Sequence, residues 1–145
     1  MPVIVTNAHP RLRFPVKDSE RIVRSVLRNE GTRASSLEII FVDHRRTIIL
    51  NKKYLRHNRT TDVIAFCYER EPTIDGEIFV NLDQAKAQSL FYGARFREEV
   101  ARLLIHGVLH LVGYDDMSMK ERNAMKQRED FYLHTLSVCR RKRII

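Results

Sequence analysis

Apolar and polar positions alternate along this chain in patterns that change character several times. Val3–Val5 is a short strand candidate. After Pro15, the residues Ile22, Val23, Val26 and Leu27 fall at helical spacing, which predicts a helix from Val16 that stops by Gly31. Leu37–Val42 reads as a strand rich in β-branched residues. Asp43 is placed to cap a helix over Arg45–Tyr54, although Thr47–Leu50 would also suit a strand. Val63–Phe66 is an apolar run of strand type, followed by a polar connection from Glu69 to Asp75 containing Pro72. In Gly76–Leu82, Ile78, Val80 and Leu82 share one face, and Asp83 can cap a helix reaching Phe91.

Ala94–Val112 carries the strongest helical pattern. Val100, Leu103, Leu104, Ile105, Val108, Leu109, Leu111 and Val112 surround most of its circumference, which predicts a buried central helix ended by Gly113. A more polar helix follows from Met119 to about Leu136. The expected fold is α+β: a single small domain over residues 1–145, with a four-stranded, mostly mixed sheet covered by helices. No repeat, linker or composition shift divides the 145 residues.

Charge adds a direction. Lys and Arg total 26 against 18 Asp and Glu, a net charge of +8 that favours polyanionic partners. Cys67 and Cys139 make neither a disulfide framework nor a Cys-based zinc site. No apolar run approaches the ~20 residues that span a bilayer. The first residues lack the charged and apolar regions of a signal peptide. A cytoplasmic protein with no membrane partner is expected.

The chemistry concentrates in His106-Gly107-Val108-Leu109-His110-Leu111-Val112-Gly113-Tyr114-Asp115-Asp116. Residues four apart on a helix are separated by roughly 400° of rotation, so both imidazoles lie on one face a turn apart. Gly113 can turn the chain back and bring a third ligand within reach. Asp116 is the first candidate and Asp115 the second. His-x-x-x-His alone also arises on ordinary helix faces. Here the helix is otherwise apolar, so two polar rings need partners. The spacing matches the zinc frame of metzincin proteases, except that Gly107 stands where those enzymes carry a general-base Glu. Peptide hydrolysis by that route is disfavoured.

At these residues the chain resembles the YbeY family of bacterial endoribonucleases, whose signature reads His-Gly-x-Leu-His-Leu-x-Gly-Tyr-Asp-His. The match runs from His106 through Asp115 and departs at Asp116, where the family has a third His. Leu50-Asn51 with Thr61-Asp62-Val63-Ile64-Ala65-Phe66, and Gly76-Glu77-Ile78-Phe79-Val80, resemble two further blocks in family order. The family also places an Arg after the aromatic of the Leu-Asn block, where this chain has Leu55; Arg56 and Arg59 are the nearby candidates for that catalytic role, with Lys53 beside them.

The resemblance implies a metal-dependent, single-strand-specific endoribonuclease in 16S rRNA 3′-end maturation and ribosome quality control. Its partners would be rRNA and the small ribosomal subunit, with ribosomal or GTPase proteins as further candidates. The implied ion is one Zn2+ on His106, His110 and Asp116; a carboxylate in the set also suits iron, and nickel is a further alternative. The rival reading is a ribosome-associated RNA-binding factor whose metal is structural. Among the other residues, Asp62 is expected to cap or brace its strand and Tyr114 to pack at the rim of the site. His44 and His57 lack ligand spacing, and His134 is expected to be partly exposed. Arg140–Arg143 forms a basic tail, either solvated or in contact with phosphates.

Overall fold

The computed structural model describes residues 2–55 and 61–144, with side chains over 2–54 and 61–136. The order of elements is β1 (Val3–Asn7), α1 (Val16–Asn29), β2 (Ala34–Val42), α2 (His44–Leu50) running into a π-turn (Asn51–Leu55), β3 (Val63–Glu69), β4 (Ile74–Asn81), α3 (Leu82–Tyr92), α4 (Phe96–Val112) and α5 (Met119–Ile144). The sheet has the strand order β1-β2-β4-β3. β1, β2 and β4 are parallel and β3 is antiparallel to β4, so the sheet is mixed, as expected.

The ambiguous segment after Asp43 is helical. Asp43 caps it by accepting from the Arg46 N–H at 2.9 Å, and the Thr47 hydroxyl donates to the Asp43 carbonyl at 2.9 Å. Several boundaries differ from expectation, among them β2, which begins at Ala34 rather than Leu37, and α5, which runs to Ile144 rather than about Leu136. β3 and β4 extend to Glu69 and from Ile74, narrowing the polar connection to a hairpin turn. The helix expected from Ala94 begins at Phe96, because Gly93 ends α3 at φ 66° and Arg95 is extended. Finally, Asn81 caps α3 rather than Asp83, accepting from the Gln84 N–H at 3.1 Å. β4 runs straight into α3, so the cap falls on the last strand residue. Asp83 instead accepts from His9 Nε2 at 2.8 Å and from the His44 N–H at 3.0 Å.

One face of the sheet is sealed. Leu37, Ile39 and Phe41 of β2 and Ile74, Ile78 and Val80 of β4 are buried in a core shared with Ile22, Val26, Leu104 and Val108. The opposite face stays half-covered, with Tyr54 of the π-turn edge-on to Phe66 and Phe66 edge-on to Phe79. α4 lies at the centre of the sealed side, in contact with α1, α3, α5, β3 and β4.

The seat of α4 is close. A Cβ on Gly107 would lie 2.8 Å from Ile78 Cγ2 and 3.3 Å from Val63 Cγ2. Below it, a Cβ on Gly76 would lie 2.7 Å from the Phe66 carbonyl oxygen and 3.0 Å from Leu111 Cδ2. Gly107→Ala is therefore expected to destabilise by ~1–3 kcal/mol in urea unfolding, because overpacking must displace Ile78. Intrinsic helix propensity favours Ala over Gly by ~1 kcal/mol, so a neutral or stabilising result would show that the helix does not seat here.

Candidate metal centre

His106 and His110 sit on the flank of α4 that faces α5 and the free edge of β3. Their Nε2 atoms are 3.0 Å apart, and Asp116 Oδ2 lies 3.3 Å from each. The chain reaches this position because α4 ends at Gly113 with φ 125°, a conformation reserved for glycine, and the next residues fold back over the last turn. Asp116 is the carboxylate brought to the histidines, while Asp115 is exposed. Donors in a tetrahedral shell with bonds of ~2.0–2.1 Å are separated by about 3.3 Å, so two imidazoles and one carboxylate at these spacings could hold a metal ion.

Behind the pair stands a residue the sequence pattern did not single out. Glu129 of α5 is buried, and its Oε2 accepts from His106 Nδ1 at 2.7 Å. A carboxylate can only accept, so the proton sits on Nδ1 and the Nε2 lone pair turns toward His110 and Asp116. The other Glu129 oxygen accepts from Arg102 Nη1 at 2.9 Å, and Arg102 Nη2 donates to Asp130 at 2.7 Å. Burial opposes charging of the His106 ring, but the bond to Glu129 outweighs it and holds the imidazole above its ordinary pKa. One signal marked Glu129: it interrupts the otherwise apolar stripe of Met125, Tyr132 and Leu133.

Two cavities meet at His106 and Asp116. One, of about 540 Å³, lies between the end of α3, α4 and α5. The other, of about 490 Å³, runs between α4 and β3, lined by residues from Thr61 to Cys67. β3 is an edge strand. The Asn81 N–H bonds the Asp62 carbonyl at 2.9 Å, so the alternation of an antiparallel ladder turns Asp62, Ile64 and Phe66 toward β4. Val63, Ala65 and Cys67 accordingly turn their backbone groups outward, along the groove that leads to the histidines.

A sequence profile described as Endoribonuclease YbeY matches residues 5–137. The chain belongs to the YbeY endoribonuclease family. It is 37% identical over 126 residues to Endoribonuclease YbeY of Chlorobium phaeovibrioides, covering 87% of this chain and 85% of that protein. With Endoribonuclease YbeY of Salinibacter ruber it is 31% identical over 144 residues, covering 93% and 92%. The fold is similar to a solution structure of a Thermotoga maritima protein, with a TM-score of 0.72 at 20% identity, over 97% of this chain and 93% of that one.

The blocks that resemble YbeY converge in space. Asn51 is buried and its Nδ2 donates to Thr61 Oγ1 at 3.4 Å, joining the first block to the second. The Gly76 block lies beneath Leu111 of the third. Asp62 does brace its strand through its carbonyl, and its side chain, which accepts from Gln88 at 3.2 Å, lines both cavities. Lys53 is exposed, with Nζ 5.2 Å over the Tyr54 ring. Arg56, Arg59 and His57 lie outside the described residues, as do the side chains of the basic tail Arg140–Arg143, whose backbone continues α5.

Tyr114 corrects the expectation that it packs at the rim. It is half-buried against the core, and its hydroxyl donates to Glu30 Oε1 at 2.9 Å, joined on that carboxylate by Arg128 and Tyr132. The turn at Gly113 directs its side chain to α1 while Asp116 reaches the histidines. His44 is held by Asn81 and Asp83, and His134 is exposed. Among the described residues, no helix is long and apolar enough to cross a membrane.

Two measurements check this centre. Asp116→Ala is expected to cut the bound divalent metal sharply in elemental analysis, while Asp115→Ala leaves it unchanged; equal losses would make Asp115 a ligand as well. Glu129→Gln is expected to weaken zinc affinity by ~10–100-fold in a chelator competition titration. Unchanged affinity would reduce Glu129 to a packing residue.

Proposed function

We propose that this chain is a metal-dependent endoribonuclease specific for single-stranded RNA, acting in late 16S rRNA 3′-end maturation and ribosome quality control. The observation that carries the proposal is the donor set His106, His110 and Asp116, oriented by Glu129 at the junction of two open cavities. Membership of the YbeY family supports RNA cleavage. The net charge of +8 supports a polyanionic substrate.

One zinc ion on these three residues is the first choice, with iron or nickel as alternatives. When bound, the ion would supply Lewis acidity toward a phosphoryl oxygen or a water. The chain supplies the rest. Glu129 keeps the His106 proton on Nδ1. The groove beside β3 follows an exposed strand edge, where an extended single strand is proposed to lie. Gly107 offers no base, and the tight contact with Ile78 leaves no room for one. Asp62, lining both cavities beside His106, is the carboxylate in place to take a proton. Arg56 and Arg59 are proposed to stabilise the charge that grows on the phosphate. The small ribosomal subunit, with ribosomal or GTPase proteins, is the proposed setting, in the cytoplasm.

Incubating metal-loaded protein with rRNA tests the reading. Cleavage is expected, with loss of at least ~100-fold in rate for His110→Ala and on chelation, in keeping with removal of a metal's charge stabilisation. The chemistry of the product termini then tells attack by water from attack by the RNA 2′-OH. Cleavage that survives both controls would identify a contaminant. RNA binding without cleavage would favour the rival, an RNA-binding factor with a structural metal.

A further inference from the structure

The cavity between α3, α4 and α5 does more than border the histidines. It runs from His106 along α4 to Glu99 and on to Tyr92. His106 and Glu99 are two helical turns apart, so the cleft extends ~10 Å along the helix axis, about the reach of one nucleotide. Its volume of about 540 Å³ lies within the ~300–1,000 Å³ usual for small-ligand sites.

Three side chains in its wall lie outside the metal-donor set, one of them, Gln88, bonded to Asp62. Tyr92 is 70% exposed and meets the Phe91 ring edge-on, with centroids 5.0 Å apart, which leaves its own face open. Glu99 is only 8% exposed, yet its Oε2 takes no hydrogen bond among the described residues. Gln88 donates its Nε2 to Asp62, which leaves Oε1 as its free atom, and that oxygen is also buried without a partner. Two buried acceptors that lack donors in one cleft are costly for the protein alone and gain most from a ligand that brings donors. Burial raises the Glu99 pKa, with Arg102 opposing and Asp62, Glu129 and Glu98 adding to the rise, so the site already resists further negative charge.

Charge decides which part of a nucleotide fits. Asp62, Glu98, Glu99 and Glu129 line the wall, and Arg102 is engaged with Glu129 and Asp130. A phosphate is repelled here, whereas an uncharged base with N–H donors is not. Exposed Arg122 and Lys126, at the same cleft, are available to flanking phosphates.

We propose that this cleft is a nucleobase subsite, in which a base next to the scissile phosphate stacks on Tyr92 and donates N–H groups to Gln88 Oε1 and Glu99 Oε2. Guanine is favoured, because it alone among the four bases has a ring N–H beside an amino group. Both oxygens are closed to solvent, so the Gln88 and Glu99 side chains must turn to meet it. The subsite rests on the reading of RNA as substrate.

The test separates binding from cleavage. Full-length protein kept in chelator is titrated with fluorescent pentanucleotides of uridine carrying one central guanosine, inosine or uridine. Inosine keeps the ring N–H and lacks the amino group. Wild type is expected to bind the guanosine strand roughly tenfold more tightly than the other two, and Glu99→Gln to abolish that preference. Tyr92→Ala is expected to weaken all three about tenfold through lost stacking. Tyr92 is on the surface, so this variant folds even if the change at Glu99 disturbs the core. Equal binding of the three strands by wild type, or unchanged binding by Tyr92→Ala, would overturn the subsite. Metal-loaded protein is then scored for cleavage of the same strands. Cleavage with no base preference in binding removes the subsite and leaves the nuclease reading intact. Base-selective binding without cleavage removes the nuclease reading and leaves the subsite.

Discussion

The contact between α4 and the sheet at Gly107 is the constraint on which the rest depends. The helix comes so near to β3 and β4 that a single Cβ at this position would enter Ile78. Gly76 makes the matching concession on the strand side, where Leu111 and the Phe66 carbonyl leave no space for a side chain. This seat brings the flank carrying His106 and His110 level with the outer edge of β3. A Glu at position 107, which the metzincin frame would demand, must either lift the helix or find room that is absent. One glycine thus settles the packing of the central helix and rules out one class of chemistry at the same centre.

Orientation of the histidines is a separate matter, and it is settled by α5. Glu129 reaches His106 only while Met125, Tyr132 and Leu133 keep α5 in the core. A buried carboxylate is expensive unless bonded, and Glu129 is bonded on both oxygens, to His106 and to Arg102. Further along the chain, Glu30 at the end of α1 gathers Arg128, Tyr132 and Tyr114. Burial works against ionising Glu30, but hydrogen bonds from Tyr132, Arg128 and Tyr114 prevail and hold its carboxyl below the usual range. That cluster ties together α1, α5 and the turn after Gly113, which also delivers Asp116. The donor atoms therefore inherit their positions from three separate contacts, only one of which, Glu129 on His106, includes a ligand residue.

Local pattern explains why some of this was legible and some was not. The helical spacing of Ile22, Val23, Val26 and Leu27, and the alternation through Ile78 and Val80, follow directly from burial of one face, and the elements form where those patterns predict them. His106, His110 and Asp116 were legible because a helix followed by a glycine turn carries its own geometry. Glu129 was not, since its partner lies 23 residues away and only tertiary packing brings them together. Its one trace was a charged residue inside an apolar stripe. Tyr114 fails for a related reason: the sequence places it beside Asp115 and Asp116, but a sharp turn sends neighbouring side chains to opposite sides. Asp83 looked like a cap because no spacer was foreseen to be missing between β4 and α3. Boundaries move when one element runs directly into the next.

Net charge and local charge oppose each other in this protein, and the opposition has a use. An excess of +8 acts over the surface and draws in a polyanion from about a Debye length, ~8 Å at physiological salt. Within the cleft beside His106, acids outnumber the cations that are not already paired. A strand attracted by the surface field cannot bury its phosphates there. On the proposed reading, its backbone stays at the rim near Arg122 and Lys126, its bases turn inward, and the only phosphate brought deep is the one that an ion on His106, His110 and Asp116 would neutralise. Basic surface and acidic cleft then divide the work, the first supplying affinity without sequence and the second admitting only a splayed single strand.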